Sequence, residues 1–273
     1  MSYLVFNFES QYLHGNTEIG VILPDKPREV APKDFYIREK KYKVLWLLHG
    51  SFGDYSDWVR KSNVELYACE NDLVVVMPSA LNSSYTDWYT IAHGYEMNKY
   101  FFEELMPLIY NWFPVSDAKE DNFIAGLSMG GRGALKFTLT HPECFAKSAI
   151  LSSSPFRYET DVQGLTGNRL QRMETLFQNA GGYEAILRSD DDLWWLTEEA
   201  DPAVIPPMYL GIGGDDAGMA RYERYRELVE KKKLDAVFEV IPGYAHEWRV
   251  WELTIQRALK FFGFESKEYG NAF

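Results

Sequence analysis

Short strand-like runs alternate along the chain with longer segments in which apolar residues recur at helical spacing. Residues 44–48 and 73–78 are almost continuously apolar, which is typical of strands buried on both faces of a parallel sheet. Further strands are predicted over residues 123–125, 145–151, 208–212 and 237–241, and helices over 63–71, 95–112, 221–232 and 247–262. This alternation predicts an α/β fold, with a mostly parallel central sheet and helices on both faces.

Two parts of the chain depart from this alternation. Residues 3–9 alternate in polarity, and residues 17–23 read as their hairpin partner. Residues 155–206 carry a helical pattern at 169–179 and no further strand signal. We interpret 155–206 as a small insertion over the active site within a single domain, 1–273. Its acidic run, residues 190–192, is expected to be a solvated turn or a helix cap.

The segment around Ser128 carries the clearest chemical signal. The sequence Gly-Leu-Ser-Met-Gly at 126–130 follows an apolar run and precedes a helical pattern. This is the G-x-S-x-G pattern of a nucleophile elbow, in which glycines allow strand and helix to pass closely around a strained serine. A Gly/Ser-rich loop is the alternative. The flanking strand and helix favour a nucleophile.

A nucleophilic serine needs a base, and the base needs an acid to orient it. Of the two histidines after Ser128, His141 follows the elbow helix directly, whereas His246 follows a predicted strand and a turn. We therefore predict His246 as the base. The acid is expected after the strand at 208–212, where Asp215 and Asp216 are both candidates.

Two backbone N–H groups are needed to stabilise the oxyanion. Met129, directly after the nucleophile, is expected to supply one of them. Ser51, in the loop that follows the strand at 44–48, is expected to supply the other. His49 in that loop is interpreted as a hydrogen-bonding residue that shapes the loop rather than as a catalyst.

Composition limits the partners. The 273 residues carry a formal charge of −12, which gives no support for binding nucleic acid or anionic membranes. No window is long and apolar enough to span a bilayer, and the N-terminus does not resemble a signal peptide. Cys69 and Cys144 are interpreted as buried free thiols, so we expect a cytoplasmic protein. No cofactor is expected, and no residue grouping predicts a metal site.

Several stretches together resemble the putative-esterase branch of the α/β-hydrolases, which includes tributyrin, acetyl, feruloyl and acetylxylan esterases and S-formylglutathione hydrolase. The resemblance covers roughly residues 5–262. Its most specific parts are residues 126–136, Gly213-Gly214-Asp215-Asp216 and His246-Glu247-Trp248. Residues 47–50, 57–58 and 103–109 match as well.

The resemblance implies the α/β-hydrolase fold, and it implies Asp216 as the acid and Ser51 as the second oxyanion donor. The chain departs from the family in its Gly-Gly-Asp-Asp turn, in residues 217–219 and in Arg132, which stands where an aromatic residue is frequent. These departures affect the acyl and alcohol pockets, not the three catalytic residues.

The expected activity is that of a serine carboxylesterase acting on small esters with acetyl to butyryl or cinnamoyl-type acyl groups. A thioesterase such as S-formylglutathione hydrolase, or an acyltransferase with the same triad, is the main alternative. A catalytically silent hydrolase fold is the third. Trp58, Trp88 and Trp248 are candidates for a wall that binds an acylated sugar or aryl ester, although such residues often pack in a core. Self-association into a homo-oligomer is a further possibility.

Overall fold

A single sheet organises the residues that the computed structural model describes, namely 2–37, 39–90 and 93–265. Eight strands of these ranges form it: β1 (Ser2–Ser10), β2 (Gly15–Leu23), β3 (Lys43–Leu48), β4 (Leu73–Pro78), β5 (Asn122–Leu127), β6 (Lys147–Leu151), β7 (Met208–Gly213) and β8 (Ala236–Ile241). The spatial order is β1-β2-β4-β3-β5-β6-β7-β8. The hairpin β1–β2 joins antiparallel to β4, and all later neighbours are parallel.

The helices of the same ranges lie between the strands and in the predicted insertion. They are α1 (Pro32–Phe35), α2 (Asp57–Lys61), α3 (Val64–Glu70), α4 (Met97–Lys99), α5 (Met106–Trp112), α6 (Met129–Thr140), α7 (Tyr158–Asp161), α8 (Gly167–Asn179), α9 (Tyr183–Ile186), α10 (Leu193–Glu199), α11 (Met219–Lys232) and α12 (Trp248–Phe262). A 3₁₀ turn spans Lys119–Asp121. None of these helices has the length and apolar character needed to cross a bilayer.

Both faces of the sheet are covered, because side chains of the central strands alternate between two cores. Trp46 on β3 packs edge-to-face against Phe101, with ring centroids 5.4 Å apart, on the side that also carries α6. Its neighbours Leu45 and Leu47 point to the opposite side, where α3 and α12 pack. The predicted α/β-hydrolase fold, mostly parallel and covered on both faces, is confirmed.

The predicted helix over 95–112 begins later and is not uniform. It starts at Met97, and a π-helical turn over Tyr100–Leu105 separates α4 from α5. Pro107 follows this turn and has no N–H, and its ring would clash with a carbonyl one regular turn earlier, so a wider turn accommodates it. The predicted strand at 145–151 likewise begins only at Lys147.

Residues 155–206, all described, contain α7 to α10 and no strand. Tyr158, Leu176, Phe177 and Ile186 form a small apolar cluster of their own within this segment. Helix α10 packs against α6 and α11. The insertion therefore rests on the helix that directly follows Ser128.

Candidate active site

Ser128 lies at the turn between β5 and α6 in a strained backbone conformation. Its φ of 52° and ψ of −113° are unusual for a residue with a side chain. Neighbouring glycines make the turn possible: a Cβ on Gly126 would lie 2.3 Å from the Gly130 carbonyl, and one on Gly130 would lie 2.4 Å from the Leu48 oxygen. Strand and helix thus approach too closely for any other residue at these two positions, and the turn presents Ser128 at the end of the sheet.

The structure brings Ser128, His246 and Asp216 together in one chain of hydrogen bonds. His246 Nε2 lies 2.9 Å from Ser128 Oγ, and its Nδ1 lies 2.7 Å from Asp216 Oδ2. Asp216 follows β7, and His246 follows β8, so both side chains come from loops at the carboxyl edge of the parallel sheet.

Asp216, not Asp215, contacts the histidine. The side chain of Asp216 is buried and also accepts a 2.7 Å hydrogen bond from the Gly218 N–H. Burial acts to raise the pKa of Asp216, but the hydrogen bonds from His246 and Gly218 outweigh it, and this pKa lies below its ordinary value. Asp215 is exposed, and its N–H bonds to the Tyr244 carbonyl. An ionised Asp216 accepts a hydrogen bond from Nδ1–H, which leaves Nε2 free to accept from Ser128.

The candidate oxyanion donors, Ser51 and Met129, line the same cavity as Ser128. Met129 is the first residue of α6, so its N–H belongs to the helix end that has no partner within the helix. The loop of Ser51 is fixed by His49, which is buried: Nδ1 donates to Gly50 O at 2.7 Å and Nε2 accepts from Ala80 N–H at 2.8 Å. Burial lowers the pKa of His49, in accord with a neutral ring that shapes the loop.

A cavity of about 630 Å³ opens beside Ser128 and His246. Its lining comes from the loops that follow β3, β4, β6 and β7 and from the insertion, which contributes Phe156 and Tyr158 among others. The insertion thus borders the site that the sequence predicts. Among the described residues, no group of three or more His, Cys, Asp and Glu side chains has the arrangement of a metal site.

Only one of the three tryptophans proposed as a substrate wall lines this cavity. Trp88 does so, and its Nε1 donates to Ser83 O at 2.7 Å. Trp58 is 1% exposed and donates to Leu48 O, while Trp248 packs edge-to-face on Trp58 at 5.3 Å. The expectation for Trp58 and Trp248 is therefore corrected, because neither lines the cavity: Trp58 is buried in the core, and the partly buried Trp248 packs against that core.

Trp251 was not among the predicted site residues, yet its ring lies edge-on to His246, with centroids 5.1 Å apart. It lies on α12, and its ring is buried in the core on that side of the sheet. The sequence signal was its position five residues after His246, one helical turn into α12, where a side chain can face back toward the loop.

A buried charge cluster joins the elbow helix to the insertion. Asp191 accepts hydrogen bonds from Arg132 Nη2 at 3.1 Å and from Lys136 Nζ at 2.8 Å. Burial alone would raise the pKa of Asp191, but Lys136 and Arg132 lower it to about 2. Lys136 is 4% exposed, so its charge depends on this partner.

This cluster corrects the expectation that residues 190–192 form only a solvated turn or cap. Asp192 does cap α10, by accepting from the Trp195 N–H, but Asp191 is turned inward. The available signal was Lys136, the one charged residue in segment 133–139 of α6 and one turn after Arg132.

Comparison with known proteins agrees with this geometry. The family model described as "Putative esterase" matches residues 10–262. An acetyl esterase from Caldicellulosiruptor saccharolyticus is 29% identical over 271 residues, which cover 96% of this chain and 98% of that protein.

Two solved structures from Staphylococcus aureus are similar over nearly their whole length. The substrate-bound serine hydrolase FphF, described as fluorophosphonate-binding, has a TM-score of 0.81 and 27% identity, with 97% of this chain and 99% of that chain covered. The S-formylglutathione hydrolase FrmB has a TM-score of 0.79 and 28% identity, with 96% and 98% covered. The chain belongs to the putative esterase family of α/β-hydrolases and is a carboxylic ester hydrolase.

Proposed function

We propose that the protein is a serine carboxylesterase that hydrolyses esters of short acyl groups through an acyl-enzyme on Ser128. The observation that carries this proposal is the hydrogen-bonded chain from Asp216 through His246 to Ser128, which ends in an open cavity. A hydroxyl with a base at 2.9 Å, itself oriented by a carboxylate, is the arrangement that acyl transfer requires.

In the acylation step, Ser128 Oγ attacks the ester carbonyl while its proton passes to His246 Nε2. Asp216 stabilises the imidazolium that forms. The Ser51 and Met129 N–H groups hydrogen-bond to the carbonyl oxygen as it becomes negative. When the tetrahedral intermediate collapses, His246 gives the proton to the leaving alcohol, and the acyl group stays on Ser128.

Deacylation repeats these steps with water as the nucleophile. His246 accepts a proton from the attacking water, the same two amides stabilise the second oxyanion, and the proton returns to Ser128 Oγ as the acid leaves. Each proton and electron pair in this sequence is supplied by the ester, water and the three side chains.

The acyl group is proposed to be short, acetyl to butyryl, or of the cinnamoyl type. The similarity to an acetyl esterase supports the short group. Trp88, which lines the cavity, supports the second type as the aromatic contact for an aryl ester or an acylated sugar.

A thioesterase with the same triad is the second candidate, because the chain is 28% identical to an S-formylglutathione hydrolase over nearly the whole of both chains. An acyltransferase would use the same acyl-enzyme and an alcohol in place of water. Comparing kcat/KM for S-formylglutathione with that for an acetyl oxygen ester separates thioesterase from esterase, and added alcohol acceptors reveal transfer.

The test of the proposed function is a substrate panel graded by acyl length, run on the wild-type protein and on Ser128→Ala. We expect the substitution to lower kcat for para-nitrophenyl acetate by about 10³–10⁶-fold, as for removal of other nucleophilic serines. A fluorophosphonate probe should label the wild type and not the variant. Unchanged activity in Ser128→Ala, or no labelling of a folded wild type, would contradict the proposal.

A cytoplasmic location belongs to the same proposal. Cys69 and Cys144 are both free, as expected, but half-buried and not fully buried; partial burial still raises the pKa of each, as suits unreactive cysteines in a reducing compartment. Self-association stays a prediction from the family resemblance, which sedimentation velocity would test.

A further inference from the structure

The cavity beside Ser128 has a positively charged wall. Arg169 and Arg172, one turn apart on α8, and Arg221 on α11 all line it. This is unexpected in a protein whose formal charge is −12. The wall, defined by these three arginines, comes from the insertion and from the helix that follows the loop of Asp216.

No carboxylate of the described residues pairs directly with this wall. The two carboxylates that line the cavity are already engaged, Asp191 by Arg132 and Lys136, and Asp216 by His246. Within the described ranges none of the three wall arginines forms an ion pair. Asp161 and, more weakly, Asp216 act to raise the pKa of Arg221, but Asp161 pairs with Arg224 at 2.6 Å and Asp216 with His246 at 2.7 Å.

The Arg221 side chain packs against an aromatic ring, but one of its hydrogen-bond donors has no partner among the described residues. Its guanidinium carbon lies 4.3 Å from the centre of the Phe156 ring, a stacking contact that fixes the plane of the fork. Its Nε is buried and has no hydrogen-bond partner among the described residues. A buried donor left unpaired is costly, so such a group is poised for an acceptor that arrives with a ligand.

Neighbouring groups reinforce the same chemistry. Arg169 and Arg221 line the same cavity, and burial, followed by the charges of Arg169 and Arg224, lowers the pKa of Arg221. Ser154 Oγ, also lining the cavity, is buried and has no partner within the described ranges. Arg172 lies 4.8 Å from the Phe52 ring, next to the loop of Ser51, so the wall reaches the oxyanion side of the cleft.

The geometry points to a preference for anionic esters: the cleft selects substrates that carry a carboxylate away from the scissile bond, held by the Arg221 fork with Arg169 and Arg172 at the rim. The inference rests on the proposed function and narrows its substrate class. The carboxylate could belong to the alcohol part or to the acyl part of the ester, and both would meet the same wall.

Matched pairs of esters test this preference on the full-length enzyme. The alcohol-side pair is para-acetoxyphenylacetate and its amide, and the acyl-side pair is monoethyl adipate and the ethyl ester of adipic monoamide. In at least one pair we expect kcat/KM for the anion to exceed that for the amide by about tenfold or more, as for one charge-assisted hydrogen bond. This ratio should fall between about 0.05 M and 0.5 M salt, because salt screens the attraction.

Substitutions test whether the three wall arginines cause the anion-to-amide ratio of kcat/KM. Arg221→Gln and the double change Arg169→Gln/Arg172→Gln should each lower the anion-to-amide ratio, and Arg221→Lys should retain part of it. Arg226→Gln is the matched control, because Arg226 lies on the same helix, pairs with Glu230 at 2.7 Å and does not line the cavity. If Arg226→Gln lowers the anion-to-amide ratio as much as Arg221→Gln does, the assignment of the anion preference to the wall is wrong.

Measuring ligand binding by Ser128→Ala distinguishes a failure of the anion preference from a failure of the esterase function. Calorimetry should show tighter binding of the anionic ester than of its amide to this variant. If the wild type hydrolyses the amides by way of Ser128 but neither pair favours the anion in rate or in binding, the anion preference is wrong and the esterase function stands. If no ester is hydrolysed but the variant still prefers the anion, the function fails and the anion site stands.

Discussion

At the residue scale, two adjacent aspartates have different surroundings. Asp216 is buried and bonds to His246, whereas Asp215 is exposed and engages its neighbours through its backbone. Both aspartates follow the end of β7, where Gly213 lies so close to the loop after β8 that a Cβ there would be 2.2 Å from Tyr244 O.

The exchange Asp216→Asn should therefore be far more damaging than Asp215→Asn. An amide at 216 favours the wrong tautomer of His246 and cannot stabilise the imidazolium, so we expect kcat to fall by about 10³–10⁴-fold. Asp215→Asn is the matched control and should stay within a few-fold of wild type. Steady-state kinetics on an acetyl ester measure both, and equal losses in the two variants would refute the assignment of the acid.

At the element scale, the elbow depends on how closely β5, α6 and β3 approach one another. The Ser128 N–H donates to Leu151 O on β6 at 2.8 Å, and the Arg132 N–H donates to Ser128 O at 3.0 Å, so neighbouring elements hold the strained turn. The glycine at 130 has no free space around it, unlike Gly15 at the start of β2.

Gly130→Ala should destabilise the fold although alanine is the better helix former. Its Cβ would meet the carbonyl oxygens of Leu48 and His49 at 2.4 and 2.6 Å, and backbone cannot move aside cheaply. We expect a loss of at least about 1–3 kcal/mol in the free energy of unfolding. Gly15→Ala meets nothing within 4 Å and should change it by no more than about 0.5 kcal/mol. Urea titrations compare the two, and equal stabilities would contradict the steric argument.

Local sequence patterns predicted the strands and loops that build the site. They did not predict side-chain positions that depend on contacts between residues far apart in the sequence. The strands flanking Ser128 and the loops of Asp216 and His246 follow from apolar runs and glycines, which are features of the local sequence. The positions of Trp58 and Trp248 do not, because whether an aromatic ring lines a cavity or packs behind it depends on how α2 and α12 meet. The same holds for Asp191, whose partners lie 55 and 59 residues away.

At the scale of the whole molecule, the question is how the insertion is joined to the sheet. We propose that residues 155–206 unfold together with the rest as one domain, as predicted from the sequence. Asp191 supports this proposal, because it links the insertion to Arg132 and Lys136 on α6, and Tyr158 OH bonds to its carbonyl at 3.0 Å. The contacts of Asp191 hold this part of the insertion against α6, the helix that follows the nucleophile's turn.

Asp191→Asn should uncouple the two parts, because it leaves the buried Lys136 without its counter-charge. We expect a loss of about 3–5 kcal/mol in the free energy of unfolding near neutral pH, as when one partner of a buried pair is removed. Because the pKa of Asp191 is about 2 when folded and 3.8 ordinarily, its ionisation adds stability above the ordinary value, and that stability is lost as the pH falls toward 2. The difference between wild type and variant should therefore narrow from about pH 5 downward. Unfolding followed by circular dichroism and by loss of activity measures it, and a pH-independent difference would show that the charge of Asp191 does not join the insertion to the core.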